Sequence, residues 1–94
     1  MTGNRIEIEG RLLDQPEFRL TPAGTPFLRF TVECGADGEE LRLGIVMTGE
    51  AALAAKPLLE PGRQVRVIGR MRALKTTRKD AAFEVVAESI DRSE

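Results

Sequence analysis

Histidine, tryptophan and tyrosine are absent from the 94-residue chain, and cysteine occurs once. Without histidine the commonest general base and metal ligand is missing. A lone cysteine with no histidine leaves no four-ligand zinc set, and no internal disulfide. Cys34 is read as a small packing residue rather than a reactive thiol. Ser89 and Ser93 have no base-like partner nearby in the sequence, and no glycine-rich phosphate loop opens a helix. Carboxylates are numerous, but no motif pairs them, and general acid–base chemistry needs tuned partners. The expectation is that the chain is not an enzyme and uses neither cofactor nor metal. No apolar run approaches the ~20 residues of a membrane span. The first seven residues carry no apolar leader. A cytoplasmic, reducing compartment and no membrane partner are therefore expected.

What the chain does have is segregated charge. The formal net charge is only −1, yet residues 63–79 hold seven Lys or Arg and no acid. Residues 33–50 hold five acids and one base, and so do residues 80–94. A separated positive strip is the footprint of a surface that meets polyanions. The competing reading is a solvated strand face balanced by acids close by in space. Apolar residues make up 41% and charged residues 31%, as in a globular domain. A chain of this size buries roughly 60–65% of its extended surface, enough for a single domain over residues 1–94 with one modest core.

The apolar residues alternate. In residues 5–12, Ile6, Ile8 and Leu12 form the apolar face, and Gly10 interrupts it as glycines do at bulges and barrel bends. Asp14-Gln15-Pro16 breaks the strand. After Phe18-Arg19-Leu20, the run Thr21-Pro22-Ala23-Gly24-Thr25-Pro26 is a turn. Residues 27–32 put Leu28, Phe30 and Val32 on one face, and Phe27, Arg29 and Thr31 on the other. Residues 35–40 form a short polar connection. Residues 41–47 then set Leu41, Leu43 and Ile45 against Arg42 and Gly44. Thr48-Gly49-Glu50 opens a short helix over residues 51–56, which Pro57 ends. From Gly62 onward Val65, Val67 and Met71 alternate with Arg66, Arg70 and Arg72. Residues 74–79 follow as a basic loop. A last strand, residues 82–90, turns Phe83, Val85, Ala87 and Ile90 inward.

Five short strands, with one helix between the third and fourth, give the element order of the OB-fold. This is an all-β, five-stranded Greek-key barrel that binds oligonucleotides. An SH3-like barrel or a sandwich fragment is the structural alternative. The predicted core comprises Ile6, Ile8, Leu28, Phe30, Leu43, Val65, Val67, Phe83 and Val85.

Two stretches resemble a known family. The first is Asn4-Arg5-Ile6-x-Ile8-x-Gly10, then Pro16, Thr21-Pro22-x-Gly24-x-Pro26 and Phe30-x-Val32. The second is Leu59-x-x-Gly62-x-x-Val65-x-Val67-x-Gly69-x-Met71, followed by Ala87-Glu88-x-Ile90. Both are similar to the bacterial single-stranded DNA-binding protein family, and more closely to its short branch, primosomal replication protein N (PriB). Ending just past the last strand, at Glu94, favours the short branch. The resemblance implies a homodimer that takes part in replication restart. Its implied partners are single-stranded DNA, a restart helicase and a loader-type primosomal protein. The chain departs from the family in its aromatics, with only four Phe. It departs also at Asp14, where relatives are basic, and near Arg70, where they are aromatic.

The candidate contacts to single-stranded DNA follow. Arg66, Arg70, Arg72, Lys75, Arg78 and Lys79, on the central strand and its loop, are expected to neutralise phosphates. Arg19, Arg29 and Arg42 extend the path across neighbouring strands. Phe18 and Phe27 are the stacking platforms. Sequence-specific readout is not expected, because stacking and backbone contacts tolerate any base. A second function remains open at this point, that of an OB-fold adaptor whose basic strip meets acidic proteins. Binding of structured RNA is a third.

Overall fold

In the computed structural model, which describes residues 3–35, 38–73 and 83–93, the alternating runs become strands of one closed sheet. The strands are β1 (Ile6–Leu12), β2 (Glu17–Leu20), β3 (Pro26–Cys34), β4 (Leu41–Thr48), β5 (Gln64–Ala73) and β6 (Phe83–Arg92). Their order is β1-β5-β6-β4-β3-β2, and β1 also pairs with β3. That return contact closes β1, β3, β4, β6 and β5 into a five-stranded barrel. The β4–β6 contact is parallel and every other pairing is antiparallel. This is the expected OB-fold. The short β2 stands outside the closure as a hairpin extension of β3, where the sequence alone suggests only a lead-in to a turn.

Each strand turns its apolar phase inward. Ile8, Leu12, Leu28, Phe30, Val32, Ile45, Met47, Val65, Val67, Val85, Ala87 and Ile90 share one core. Helix α1 (Gly49–Ala55) and the 3-10 turn that follows it (Lys56–Leu58) lie between β4 and β5. They add Ala52, Ala55 and Leu59 to that core. Thr48 occupies the N-cap without a side-chain capping bond, and Glu50 sits in the first turn, where a negative charge complements the helix dipole.

Two glycines let the walls close. A Cβ on Gly10 would strike the Glu33 carbonyl oxygen and come within 2.7 Å of Val32 Cγ1. A Cβ on Gly69 would strike the Val86 carbonyl oxygen and lie 2.8 Å from Ala87 Cα. At Gly69 the register also slips: Ile68 faces Ser89, but Gly69 faces Ala87. Glu88 is thus the extra residue of a β-bulge, which bends the strand. It also lets Ala87 and Ile90, three apart in sequence, both reach the core. Gly69→Ala is expected to destabilise the protein by about 1–3 kcal/mol, the usual range for overpacking. Urea unfolding checks this, and an unchanged midpoint would mean that β5 and β6 do not approach so closely.

The predicted core needs correction at one end. Phe83 is 54% exposed and Met71 is 38% exposed. Their phase is the inward one, since Met71 pairs with Val85 and Phe83 with Ala73. Among the described residues, however, no opposite wall covers this end of β5 and β6. Ile6 and Leu43 are only partly buried against the core. Conversely, Val46 has the outward phase and is buried.

Candidate nucleic-acid interface

The β2–β3 hairpin brings the first basic and aromatic groups together. Its turn is held by Thr21 N–H donating to the Thr25 carbonyl at 2.9 Å and Thr25 N–H donating to Thr21 Oγ1 at 3.1 Å. The register then sets Arg19 opposite Phe27. The Arg19 guanidinium carbon lies 4.6 Å from the Phe27 ring centroid, and that of Arg29 lies 5.9 Å from it. Guanidinium over an aromatic face is a favourable cation–π arrangement. Glu17 adds an exposed ion pair to Arg19 at 3.8 Å.

From Phe27 the outer face of the sheet continues toward β5. Arg29 pairs with Val46, Val46 with Val86, and Val86 with Arg70. One transverse row thus runs from a β3 arginine, over two valines, to a β5 arginine. Beside it Glu84 of β6 holds two arginines from opposite sides. Arg72 Nε donates to its Oε1 at 3.1 Å, with a second bond from Arg72 Nη2, and Arg29 Nη2 lies 3.9 Å from Oε2. Glu84 is only 7% exposed. A carboxylate so enclosed needs its charge matched and its oxygens bonded: both guanidinium groups match the charge, and Arg72 supplies the hydrogen bonds. Arg72 is thereby fixed, while the half-exposed Arg29 is held by charge alone.

The remaining candidates are distributed differently. Arg42 lies on the same outer face, nearer the other end of β4. It shares Glu33 with Arg11, at 3.4 and 3.1 Å. Arg70 pairs with Glu88 at 3.7 Å. Arg66 sits on the β1 side of β5, between Glu9 at 3.2 Å and Glu7 at 4.0 Å. Four residues from Arg70 along a strand, it is ~13 Å away. Phe18 has the phase of Leu28 and packs, half-buried, against the core. The Lys56 ammonium lies 4.2 Å from its ring centroid. Lys75, Arg78 and Lys79 lie outside the described residues. The fold therefore gathers Arg19, Phe27, Arg29, Arg70 and Arg72, with Arg42 at their margin. It does not bring Arg66 or Phe18 into that group.

Every candidate arginine on a strand is thus already paired with a carboxylate. Exposed pairs of this kind are worth roughly 0–1 kcal/mol, so a phosphate displaces most of them at little cost. Glu84 and Val46 were missed by reading the sequence. Both have the outward phase, and a sequence does not reveal that long arginine stems will close over them.

A family model described as the single-strand binding protein family matches residues 3–93. The chain belongs to that family. A comparison with curated proteins found no match. Membership in the single-strand binding family supports single-stranded DNA as the ligand in general, and the family's members bind DNA without chemistry on it. No helix among the described residues is long and apolar enough to cross a membrane.

Proposed function

We propose that the protein is a cytoplasmic, homodimeric accessory of the replication-restart primosome. It binds single-stranded DNA without reading its sequence, and it bridges a restart helicase to a loader-type primosomal protein. The observation that carries the DNA-binding part is the convergence of Arg19, Phe27, Arg29, Arg70 and Arg72 on one outer sheet face. Arg19 and Arg70 there exchange their exposed carboxylate partners for phosphates, Arg72 keeps its bonds to Glu84, and neutralising phosphates releases counterions. A base reaches the Phe27 ring when Arg19 swings from it to a phosphate. Lys75, Arg78 and Lys79, which fall between β5 and β6 in the sequence, are further candidates for phosphate contacts. Arg42 continues the cationic path along β4, while Arg66 and Phe18 serve at its margins.

The adaptor reading has its own observation. The strand arginines are satisfied by carboxylates within the chain, and the aromatic share is only 4%. Titration with a fluorescent oligo-dT at two salt concentrations separates the two. Affinity that falls steeply with salt is the expected result. An absence of binding at low salt would leave the adaptor.

The dimer rests on an open edge. β1 pairs with β5 from Ile6 to Arg11, but with β3 only through Arg11 and Leu12. Among the described residues, the other edge of residues 6–10 has no strand partner. Such an edge is a template for pairing, and two copies meeting there by a two-fold axis satisfy both at once. Light scattering at micromolar concentration is expected to give twice the 10.3 kDa chain mass. A particle of single-chain mass would overturn the dimer.

A further inference from the structure

Gly44 leaves a gap in the outer face of the sheet that the fold itself does not require. It lies in the interior of β4, opposite Thr31 and one residue before the Ile45–Val85 pair. Its φ is not in the left-handed region, and an added Cβ would meet nothing within 4 Å. No turn, bulge or close strand therefore demands glycine there. A glycine inside a strand is destabilising, and it commonly marks a place where a ligand approaches the backbone. The gap also has walls. Val46 faces the same way, yet is only 3% exposed. Glu84, on the adjoining strand, hydrogen-bonds Arg72 on one side and attracts Arg29 on the other. The result is a shallow step with exposed peptide backbone at its floor and two guanidinium groups at its rim.

We infer that Gly44 is the floor of a nucleobase subsite, in which one base of single-stranded DNA lies flat against the β4 backbone. This rests on the DNA-binding reading and goes beyond it by placing a base where no aromatic side chain stands. The chemistry suits the place. A base has a flat, weakly hydrated face that packs against an exposed peptide plane. Its flanking phosphates carry the charge that Arg29 and Arg72 neutralise. Of the two obvious platforms, Phe18 is packed against the core and Phe27 is open only once Arg19 leaves its ring. A Cβ added at position 44 meets nothing within 4 Å, so alanine there leaves both arginine pairs in place.

The test is Gly44→Val, with Gly44→Ala as the smaller step. Both keep strand geometry, and valine favours it, so the melting temperature is expected to hold or rise. Binding of oligo-dT is expected to weaken about tenfold in Gly44→Val, the loss of one stacked base, and less in Gly44→Ala. The salt slope stays as in the parent, because no phosphate contact is removed. An abasic oligonucleotide of the same length is expected to bind parent and variants alike. Equal oligo-dT affinity in parent and Gly44→Val would overturn the subsite while leaving DNA binding intact. Weakening shared equally by the abasic strand would also overturn it, since the effect would then lie in the backbone path. A parent that binds neither strand would remove the DNA-binding reading and the subsite together. If Gly44→Val proves unfolded, Gly44→Ala decides the matter by the same comparison.

Discussion

Truncating Phe30 to alanine is expected to cost about 3–5 kcal/mol of folding stability. Phe30 is 3% exposed and faces Ile45 across β3 and β4. Its strand is the one that meets three others, β1, β2 and β4. Leu28 and Val32 flank the ring on the same face and are themselves buried, so truncation opens a cavity among packed side chains. A domain of this length holds roughly 5–14 kcal/mol in total, so the variant loses a large share of it. Urea unfolding of parent and variant measures the difference. A loss below about 1 kcal/mol would mean that the phase of β3 is reversed, and that Phe27 and Arg29 face the core instead.

Replacing Lys75, Arg78 and Lys79 together with alanine is expected to have the largest effect on DNA binding. The three residues lie between the last residue of β5 and the first of β6, and their sequence pattern carries no core phase. The melting temperature is therefore expected to stay near that of the parent. Each phosphate contact on a single strand contributes ~0.7 to the log–log salt slope, so losing three lowers the slope by about 2. Oligo-dT titrations across a series of salt concentrations read the slope directly. If affinity and slope are both unchanged, these three side chains are solvated surface and the adaptor reading leads. If the variant unfolds, the assignment of residues 74–79 to a loop is wrong.

Much of the barrel was legible because inward and outward residues alternate with a period of two, and the element order then selects the OB-fold. The phase was right for Ile8, Leu28, Phe30, Val65, Val67 and Val85, where a strand faces another wall. It misled at Phe83 and Met71, because alternation reports which side a residue takes and not whether anything stands opposite. The bulge at Glu88 was hidden for a related reason: one unpaired residue is defined by the partner strand, not by its own. The candidate interface was legible in part. Arginine phase along β3 and β5 put Arg29, Arg70 and Arg72 on the outer face. That Glu84 would tie two of them together depends on strand order, with β6 lying between β4 and β5. Similarly, Arg66 looked equivalent to Arg70 until the pairing of β1 with β5 set Glu7 and Glu9 beside it.

The closure of the barrel by β1 also governs when the protein can fold. Its main partner, β5, begins at Gln64, more than fifty residues after the end of β1 at Leu12. Pairings so distant in sequence form slowly, because loop-closure entropy must be overcome before any contact rewards it. On a ribosome adding 5–20 residues per second, β1 waits roughly 3–12 s for the whole of β5 to be made. During that interval both edges of β1 are open, and the β3–β4 hairpin is the largest piece able to form locally. Nascent chains are thus exposed to premature pairing between neighbours on one message, through the same edge that is proposed to join the finished subunits.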